Sequence, residues 1–375
     1  MTRRAFLQCL AGALLVSGGL GGTGYAFMRK KMFGALPDED LIRELMRSSH
    51  YYNGEFHNLA EHAILSDNSS TVMALLRSLF VKKENPAPVK PLPVKNNAFA
   101  GLARDEDVLV WLGHSSFFMQ LSGKRILIDP VFSPYASPVF FSVQAFAGAT
   151  PYGAEDLPAI DYVFISHDHW DHLDYPTLMQ LKSKLGKIVC PLGVKSHLLH
   201  WGFNKEQIIE GDWGDSAALA YDLQVHFVPS QHFSGRTLTR YKTLWCGFVL
   251  ETPHQKIFFS GDSGYEAHFA QIGQAFPDID LALLDCGQYN ERWKYVHMNP
   301  EQASQAAVDL NAGYLLPMHI GKFSLAYHAW YEPFDRITAA SRDKNYTLLT
   351  PMIGERLALA NLSAADISPW WRTVQ

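Results

Sequence analysis

Short apolar runs, each closed by turn residues, dominate the chain from Asp107 onward. Runs such as "DVLVWLG", "SFFMQLSG", "KRILIDP" and "DYVFIS" have strand length, and "SGK" predicts a hairpin turn between the second and third. The pattern continues to "YLLPMH", with helical patterns at 266–276 and 299–313, where Pro300 occupies a permitted helix start. Two strand-rich halves with interspersed helices predict an α/β sandwich rather than a doubly wound parallel sheet.

The pattern before this region is different. Residues 38–49 have an acidic first turn and predict a short helix, and residues 71–83 predict an amphipathic helix with a basic end. The stretch at 85–96, "NPAPVKPLPVKN", contains four prolines and must be extended, as a linker or a strap across the body. We therefore expect an N-terminal helical segment with a proline-rich strap over 32–104 and the main domain over 105–375.

Residues 1–31 have the features of a targeting segment. "TRRAFLQ" resembles a twin-arginine export signal, with Arg3 and Arg4 followed by an uncharged stretch from Ala5 to Met28. A signal peptide has an apolar core of about 7–15 residues, whereas a membrane-spanning helix needs about 20. The stretch is long but interrupted by glycines. The sequence therefore predicts either export to the periplasm or retention by a membrane anchor, and leaves both open.

Composition narrows the classes of partner. The 375 residues have a net charge of -5, so no basic surface indicates a nucleic-acid partner. Aromatic residues make up 13% of the chain, which favours apolar or amphiphilic ligands. Of the four cysteines, Cys9 lies in the targeting segment, and the spacing of the others matches no zinc motif. Three remaining cysteines do not predict a disulfide framework.

The stretch "ISHDHWDHLD" carries the densest candidate chemistry. His167, His169, Asp171 and His172 come directly after an apolar strand and before a predicted helix. In a turn at this point, side chains at positions i, i+2, i+4 and i+5 can converge. Imidazole and carboxylate groups suit zinc, and neutral histidine is the commonest metal ligand. The sequence therefore predicts a metal site rather than a chance surface cluster.

Three further candidate ligands follow later strands. His232 comes after "LQVHFV", Asp262 after "KIFF", and His319 ends "LLPMH". Each is a polar residue just past an apolar run. We therefore expect all of them to lie along one edge of the predicted sheets.

These motifs also carry a family resemblance. "SHDHWDHLD", followed by "QH", "SGDSGY" and "PMHIGKF", resembles the metallo-β-lactamase superfamily. "YYNGEFHN", "WLGHSSFFMQLSGKRILIDPVFSPYASP" and "ERWKYVHMNPEQA" resemble the branch that contains N-acyl-phosphatidylethanolamine-hydrolysing phospholipase D. The resemblance runs from about residue 50 to about residue 354. It implies a four-layer αββα sandwich with metals at one edge.

The resemblance also implies a set of metal ligands. One zinc ion would be held by His167, His169 and His232, and a second by Asp171, His172 and His319, with Asp262 bridging both. Two zinc ions can activate a shared hydroxide and stabilise the charge that develops during phosphodiester cleavage.

Other residues have roles that depend on the resemblance. His297, in "YVHMNPEQA", would donate a proton to the leaving group or bind phosphate, or else only begin a helix. His114 would be a hydrogen-bond partner of a ligand, and Trp170 a wall over the metals. Residues 131–152 are rich in aromatics and uncharged, and predict a loop that is either an apolar surface patch or part of the core.

The leading functional hypothesis is therefore a zinc phosphodiesterase of phospholipase D type. Its catalytic residues would be Asp262 and His297. Its expected partners are an amphiphilic phospholipid substrate and a membrane surface, and a homodimer is left open. The alternatives are a zinc hydrolase of a soluble ester or lactone, and a non-catalytic scaffold with the same fold.

Overall fold

Two β-sheets form the centre of the molecule, for which a computed structural model describes residues 26–66 and 83–375. The first sheet has the strand order β16-β3-β4-β5-β6-β7-β8. Its strands are β3 (Val108–Trp111), β4 (Phe117–Leu121), β5 (Lys124–Ile128), β6 (Ile160–Phe164), β7 (Leu185–Pro191), β8 (Ile208–Gly211) and β16 (Arg356–Ala358). Antiparallel pairing from β16 to β5 gives way to parallel pairing from β5 to β8.

The second sheet repeats this arrangement, in the order β15-β14-β13-β12-β11-β10-β9. Its strands are β9 (Ser216–Ala220), β10 (Leu223–Val228), β11 (Gly247–Glu251), β12 (Lys256–Phe259), β13 (Leu281–Asp285), β14 (Tyr314–Met318) and β15 (Thr347–Leu348). Strands β12 to β15 are parallel, and β9 to β12 are antiparallel. A small hairpin, β1 (Tyr51–Tyr52) and β2 (Glu55–Phe56), lies outside both sheets.

Helices cover the outer faces of the sheets. Helix α1 (Glu39–Leu45) places its buried Leu45 in the central cluster instead. The helices on the outer faces are α2 (Tyr175–Leu181), α3 (Lys195–His200), α4 (His268–Ala275), α5 (Pro300–Asp309) and α6 (Glu332–Ala340). Short 3-10 segments occur at Lys31–Phe33, Lys182–Lys184, Lys205–Gln207, Glu291–Trp293, Leu359–Ala364 and Trp370–Thr373. In the described parts of the chain, none of the helices has the length and apolarity needed to cross a membrane.

The cores confirm the four-layer αββα sandwich. Between the sheets, the rings of Phe164 and Phe248 lie 5.0 Å apart within one buried cluster. A second cluster joins the outer face of the first sheet to α2 and α3, and a third joins the outer face of the second sheet to α4, α5 and α6. Strand β5 illustrates the alternation, since Ile126 and Ile128 enter the central core and Leu127 the outer one.

Local signals explain several of these elements. The "SGK" turn joins β4 to β5, with positive φ angles of 49° at Ser122 and 68° at Gly123, as two-residue hairpin turns require. Helix α5 begins with Pro300, and the Asn299 side chain accepts a hydrogen bond from the Gln302 amide. Helix α1 begins after Asp38, which caps it in the same way.

The proline-rich stretch lies across the body as a strap. The Leu92 amide donates to Ala147 O at 2.8 Å, and the Lys95 amide donates to Ile353 O at 2.9 Å. The predicted targeting segment up to residue 25 and the predicted helix at 71–83, except Lys83, lie outside the described residues. The division between 32–104 and 105–375 stays a prediction.

Candidate metal centre

The predicted ligands meet at one edge of the sandwich because each follows the end of a strand. The loop from β6 to α2 supplies His167, His169, Asp171 and His172, while the loops after β10, β12 and β14 supply His232, Asp262 and His319. Within the second sheet, these three strands run in the same direction, so their carboxyl ends share an edge. We call these seven residues the candidate ligands.

One group of candidate ligands contains His167, His169, His232 and Asp262. The ligand atoms all lie within 4.8 Å of one another. His169 Nδ1 is 2.9 Å from His167 Nε2 and 3.2 Å from His232 Nε2. Asp262 Oδ2 is 3.8 Å from both His167 Nε2 and His232 Nε2. Three imidazoles and one carboxylate therefore point at a common centre.

A second group contains Asp171, His172, His319 and also His114. Asp171 Oδ2 is 3.0 Å from His114 Nε2 and 3.2 Å from His319 Nε2. Asp262 reaches this group as well, with Oδ2 3.1 Å from His172 Nε2 and Oδ1 3.3 Å from His319 Nδ1. Asp262 thus lies between the two groups, which is the position that the resemblance implied, and His114 is a hydrogen-bond partner of Asp171.

Outer contacts fix the orientation of the imidazoles. His172 Nδ1 donates to Asp129 Oδ2 at 2.7 Å, and His232 Nδ1 donates to Val296 O at 2.9 Å. Ser166 Oγ lies 2.9 Å from His167 Nδ1 and donates to Asp129 at 2.5 Å. Metal-binding histidines usually hold their second ring nitrogen in this way, which fixes the tautomer.

The backbone at the site is strained. His114, Asp129 and His319 have positive φ angles of 55°, 40° and 62°. A side-chain-bearing residue in such a conformation costs about 1–3 kcal/mol, and such residues cluster at functional sites. The fold therefore maintains costly conformations where they aim imidazole and carboxylate groups at one centre.

Most candidate ligands have the protonation state that binds a metal. Burial holds the pKa of His167 and His232 well below the usual value, and lowers that of His169 to about 4. Burial alone would raise the pKa of Asp171 and Asp262, but the neighbouring histidines outweigh it and hold both pKa values well below the usual range. Neutral imidazoles and ionised carboxylates are the forms that coordinate metals.

The remaining two histidines compensate for a concentration of negative charge. Burial would lower the pKa of His172, but Asp262, Asp171 and Asp129 together hold it well above the usual value. In the same way, burial is outweighed at His319, whose pKa is raised to about 10. The buried carboxylates thus produce a strongly negative potential at this point, and bound metal cations would neutralise it.

Unsatisfied polar atoms support the same conclusion. His172 Nε2 and Asp262 Oδ1 are buried, and their contacts of 3.1 Å to Asp262 Oδ2 and 3.3 Å to His319 Nδ1 lack the geometry of hydrogen bonds. A buried polar atom left unpaired costs about 1–3 kcal/mol. A metal ion coordinated by these atoms would remove that cost, so the residues present fit a metal centre.

Comparison with known proteins identifies the family. Residues 124–320 match the family model described as "Beta-lactamase superfamily domain". The chain belongs to the metallo-β-lactamase superfamily. It is a metal-dependent hydrolase of this superfamily, as predicted.

Individual proteins of known sequence or structure are similar to large parts of this chain. An uncharacterized protein of Mycobacterium tuberculosis is 36% identical over 331 residues, which are 87% of this chain and 88% of the relative. N-acyl-phosphatidylethanolamine-hydrolyzing phospholipase D 1 of Caenorhabditis elegans is 29% identical over 240 residues, 60% of this chain and 67% of the relative. A metallo hydrolase from Ignicoccus hospitalis superimposes with a TM-score of 0.51 at 22% identity, covering 67% of this chain and 97% of that one, which supports the fold.

A cavity of about 340 Å³ opens over the metal centre of this hydrolase. His169, Asp171 and His319 form its floor. Its other lining residues are mostly apolar: Ile64, Leu65, Ala136, Trp170, Phe233, Arg240, Gln288, Trp293, Val296, His297 and Leu325. Trp170 is therefore a wall beside the metal centre, as the sequence suggested.

His297 lies between this cavity and a polar cleft of about 360 Å³. Its Nδ1 donates to Asp285 Oδ2 at 2.8 Å, so Nε2 is left for another contact. Asp262, Asp285, His297 and His319 also form a third group whose ligand atoms lie within 4.8 Å of one another.

Two aspartates with structural roles at this site were missed from the sequence. Asp129 follows "ILI" at the end of β5, and Asp285 ends β13. Both are fully buried, and they hold His172, His297 and His319. Their signal, an aspartate just past an apolar run, is the one that identified Asp262.

Proposed function

We propose that this hydrolase is a zinc-dependent phosphodiesterase of phospholipase D type that acts on N-acyl-phosphatidylethanolamine-like lipids. The observation that carries this proposal is the apolar cavity whose floor consists of candidate metal ligands. Apolar walls can bury the hydrocarbon part of a ligand, and a few polar groups among them fix its orientation, so this lining suits a substrate with acyl chains. The similarity to an N-acyl-phosphatidylethanolamine-hydrolyzing phospholipase D supports the same substrate class.

The proposal assigns two zinc ions to the candidate ligands. One would be held by His167, His169 and His232, the other by Asp171, His172 and His319, and both by Asp262. When bound, such cations would acidify water and neutralise the charge that develops on phosphoryl oxygens. The protein would contribute a buried, oriented ligand set, since Asp129 and Asp285 hold the second nitrogens of two histidines.

His297 is the proposed proton donor to the leaving oxygen. Asp285 accepts its Nδ1 proton at 2.8 Å, which fixes the ring and leaves Nε2 for the substrate. The ring lies within the cavity wall, next to the metal centre. A protonated Nε2 would donate to the alkoxide that departs from phosphorus, and phosphatidic acid would remain as the other product.

The cavity wall also contains a cation, Arg240, whose guanidinium lies 5.3 Å from the centre of the Phe233 ring. Arg240 is the one Lys or Arg side chain among the described lining residues, and such a cation in a mostly apolar wall suits a substrate with an anionic group and hydrocarbon chains. A lactone or a neutral ester has no anionic group for Arg240 to contact. This contrast favours the phosphodiester over the soluble alternative.

The test is turnover of three substrates by purified, metal-analysed protein. We expect hydrolysis of a long-chain N-acyl phospholipid to exceed that of a short-chain soluble phosphodiester and of a simple lactone, with a phosphatidic acid released. Two equivalents of zinc per chain should accompany full activity. Faster turnover of the lactone than of either phosphodiester would replace this proposal with a soluble ester or lactone hydrolase.

We also propose export through the twin-arginine route, on the basis of Arg3 and Arg4 and the uncharged stretch after them. This route transports folded protein and would suit a metal centre loaded in the cytoplasm. Replacing both arginines with lysine should leave the protein in the cytoplasmic fraction, and unchanged fractionation would contradict the proposal.

A further inference from the structure

The uncharged loop at 131–152 contains a projecting hairpin, residues 134–145, which we call the finger. The Ala136 amide donates to Val143 O at 3.0 Å, and the Ala145 amide donates to Pro134 O at 2.9 Å. Tyr135 and Gln144 form an isolated antiparallel bridge between these contacts. The finger therefore has two paired sides and a tip.

Two aromatic side chains form the tip. Phe140 and Phe141 are 69% and 71% exposed, and their ring centres lie 5.4 Å apart. Exposed phenylalanines on a segment without a charged residue are unfavourable in water, and adjacent pairs indicate a contact surface.

The base of the finger is fixed to the body. Val131 and Ala136 pack with Phe323 in a small buried cluster. Lys322 Nζ donates to Val131 O at 2.7 Å, and the Phe146 amide donates to Lys322 O at 2.8 Å. The buried base therefore holds the exposed tip in a defined place. Of the two alternatives for the loop at 131–152, its base is part of the core and its tip is an apolar surface patch.

That place is beside the mouth of the substrate cavity. Ala136 lines the cavity, and its neighbours Tyr135 and Ser137 line a cleft of about 270 Å³ on the other side of Trp170. Leu238, two residues before the cavity residue Arg240, is a further apolar side chain at this end and is 88% exposed.

The same cleft joins the finger to a basic stretch. Lys30 and Lys31 line it together with Tyr135, and residues 29–31 are three consecutive exposed basic residues. The stretch is fixed to the body, because Trp201 Nε1 donates to Lys31 O at 2.7 Å and the Phe33 ring meets the Trp170 ring edge-on at 5.1 Å. In sequence, the uncharged residues 5–28 lead directly into it.

We propose that the finger tip inserts into the surface of an anionic lipid bilayer, with residues 29–31 against the headgroups, so that the cavity opens toward the lipid. Aromatic side chains beside basic ones are the composition that favours the interfacial region of anionic membranes. This inference rests on the proposed function, because docking would let a lipid substrate enter the cavity from the bilayer without crossing water. Docking itself can be measured without turnover.

The experiment uses the full metal-loaded chain, reconstituted in vesicles of phosphatidylcholine and phosphatidylglycerol. Phe141→Cys carries a fluorophore, and Cys9→Ser leaves the other native cysteines buried. The matched control is Tyr221→Cys, because Tyr221 is fully exposed in the turn before β10, at the opposite end of that strand from His232. We expect nitroxide-labelled lipid to quench the label at 141 and not at 221, and aqueous iodide to quench only the label at 221.

Two other results would overturn the proposal. Quenching of the label at 141 by iodide would mean that the tip stays in water. Protection of that label from both quenchers would mean that a second copy or another segment of the chain covers it. Vesicles of phosphatidylcholine alone should give weaker quenching by nitroxide lipid, because the basic stretch then lacks anionic headgroups.

A double variant separates docking from chemistry. Phe140→Ser with Phe141→Ser should reduce turnover of the N-acyl phospholipid in vesicles and leave turnover of a short-chain soluble phosphodiester unchanged. Equal turnover of vesicle lipid by variant and parent would contradict docking by the finger. If neither substrate is hydrolysed by the parent protein, the proposed function fails, while the quenching experiment still decides the docking.

Discussion

At the scale of single residues, Asp262 connects the two groups of candidate ligands. Its two oxygens lie 3.1 Å from His172 Nε2 and 3.3 Å from His319 Nδ1, and one of them also faces the first group. If two metal ions are bound as proposed, a carboxylate in this position would provide negative charge between them. An amide of the same shape would fill the space but carry no charge.

Asp262→Asn should therefore abolish hydrolysis and leave the fold intact. Loss of a partner outside the ligand set usually costs about 10–100-fold in activity or metal affinity, and loss of the shared carboxylate should exceed that range. Metal content, circular dichroism and turnover of the same preparation would be compared with the parent. Full activity with both metals retained would contradict the role of Asp262.

His297 allows a sharper chemical test. If His297 protonates the leaving oxygen, His297→Gln should slow the hydrolysis of an alkyl phosphodiester by about 10²–10⁴-fold. A nitrophenyl phosphodiester should be slowed far less, because nitrophenolate leaves without a proton. The measurement is the ratio of the two rates in parent and variant.

Asp285→Asn is the companion variant, since Asp285 accepts the Nδ1 proton of His297. It should also slow hydrolysis of the alkyl phosphodiester more than hydrolysis of the nitrophenyl phosphodiester, but both rates should fall less than in His297→Gln. An equal loss on both substrates in the two variants would indicate that His297 supports the metal centre rather than the leaving group.

At the scale of elements, a buried cation joins the N-terminal helix to the sandwich. Lys195, at the start of α3, donates to Glu44 of α1 at 2.5 Å and pairs with Glu210 of β8 at 2.9 Å. Its side chain and that of Glu210 are each only 8% exposed. The three elements therefore meet at one ion-pair network.

Lys195→Met should lower the free energy of unfolding by about 3 kcal/mol, because it leaves the Glu210 carboxylate buried without its cation. Lys205→Met is the matched control. Lys205 is 68% exposed and lies 3.8 Å from the same Glu44, so its loss should cost at most about 1 kcal/mol. Urea unfolding of both variants measures the difference, and equal effects would mean that burial of the pair is unimportant.

The same scale shows what the sequence could and could not predict. Strands that are mostly apolar runs, such as β12 and β14, were readable together with the candidate ligands after them, Asp262 and His319, because nearly all residues of these strands are buried. Strand β9, "SAALA", was missed because it lies at a sheet edge and alternates small, half-exposed side chains. Helix α6 was also missed, since its buried Phe334 packs against aromatic rings that are distant in sequence, such as Trp111 at 6.4 Å and Trp371 at 5.0 Å between ring centres.

Within the site, the candidate ligands were easier to predict from the sequence than the two aspartates that hydrogen-bond to them. Each ligand stands in a recognisable motif, whereas Asp129 and Asp285 are single aspartates whose partners lie far away in sequence. Only tertiary pairing brings Asp129 within 2.7 Å of His172 Nδ1. The pairing of the two sheets is likewise set by packing of side chains that are distant along the chain.

At the scale of the whole molecule, the candidate ligands come from loops of both sheets, so bound metal would hold the halves together. A ligand present at about 1,000 times its dissociation constant stabilises the native state by about 4 kcal/mol. For a chain of 375 residues, with an unfolding entropy of about 2.1 cal/mol/K per residue, that corresponds to roughly 5 °C in melting temperature.

Removal of metal by a chelator should therefore lower the melting temperature by roughly this amount, and added zinc should restore it. The measurement is a calorimetric scan with metal content determined before and after treatment. Asp262→Asn should respond less to the chelator than the parent does. If the melting temperature is unchanged after proven loss of metal, bound metal does not stabilise the association of the two sheets.

The division of the ligands between the sheets also bears on synthesis of the protein. Translation delivers His167, His169, Asp171 and His172 together, on the loop after β6, while Asp262 and His319 are still to be made. A nascent chain thus presents four metal-binding groups without the carboxylate that joins the two groups. Coordination can be completed only after β14 has joined the second sheet, so the mature metal centre marks the end of folding rather than its start.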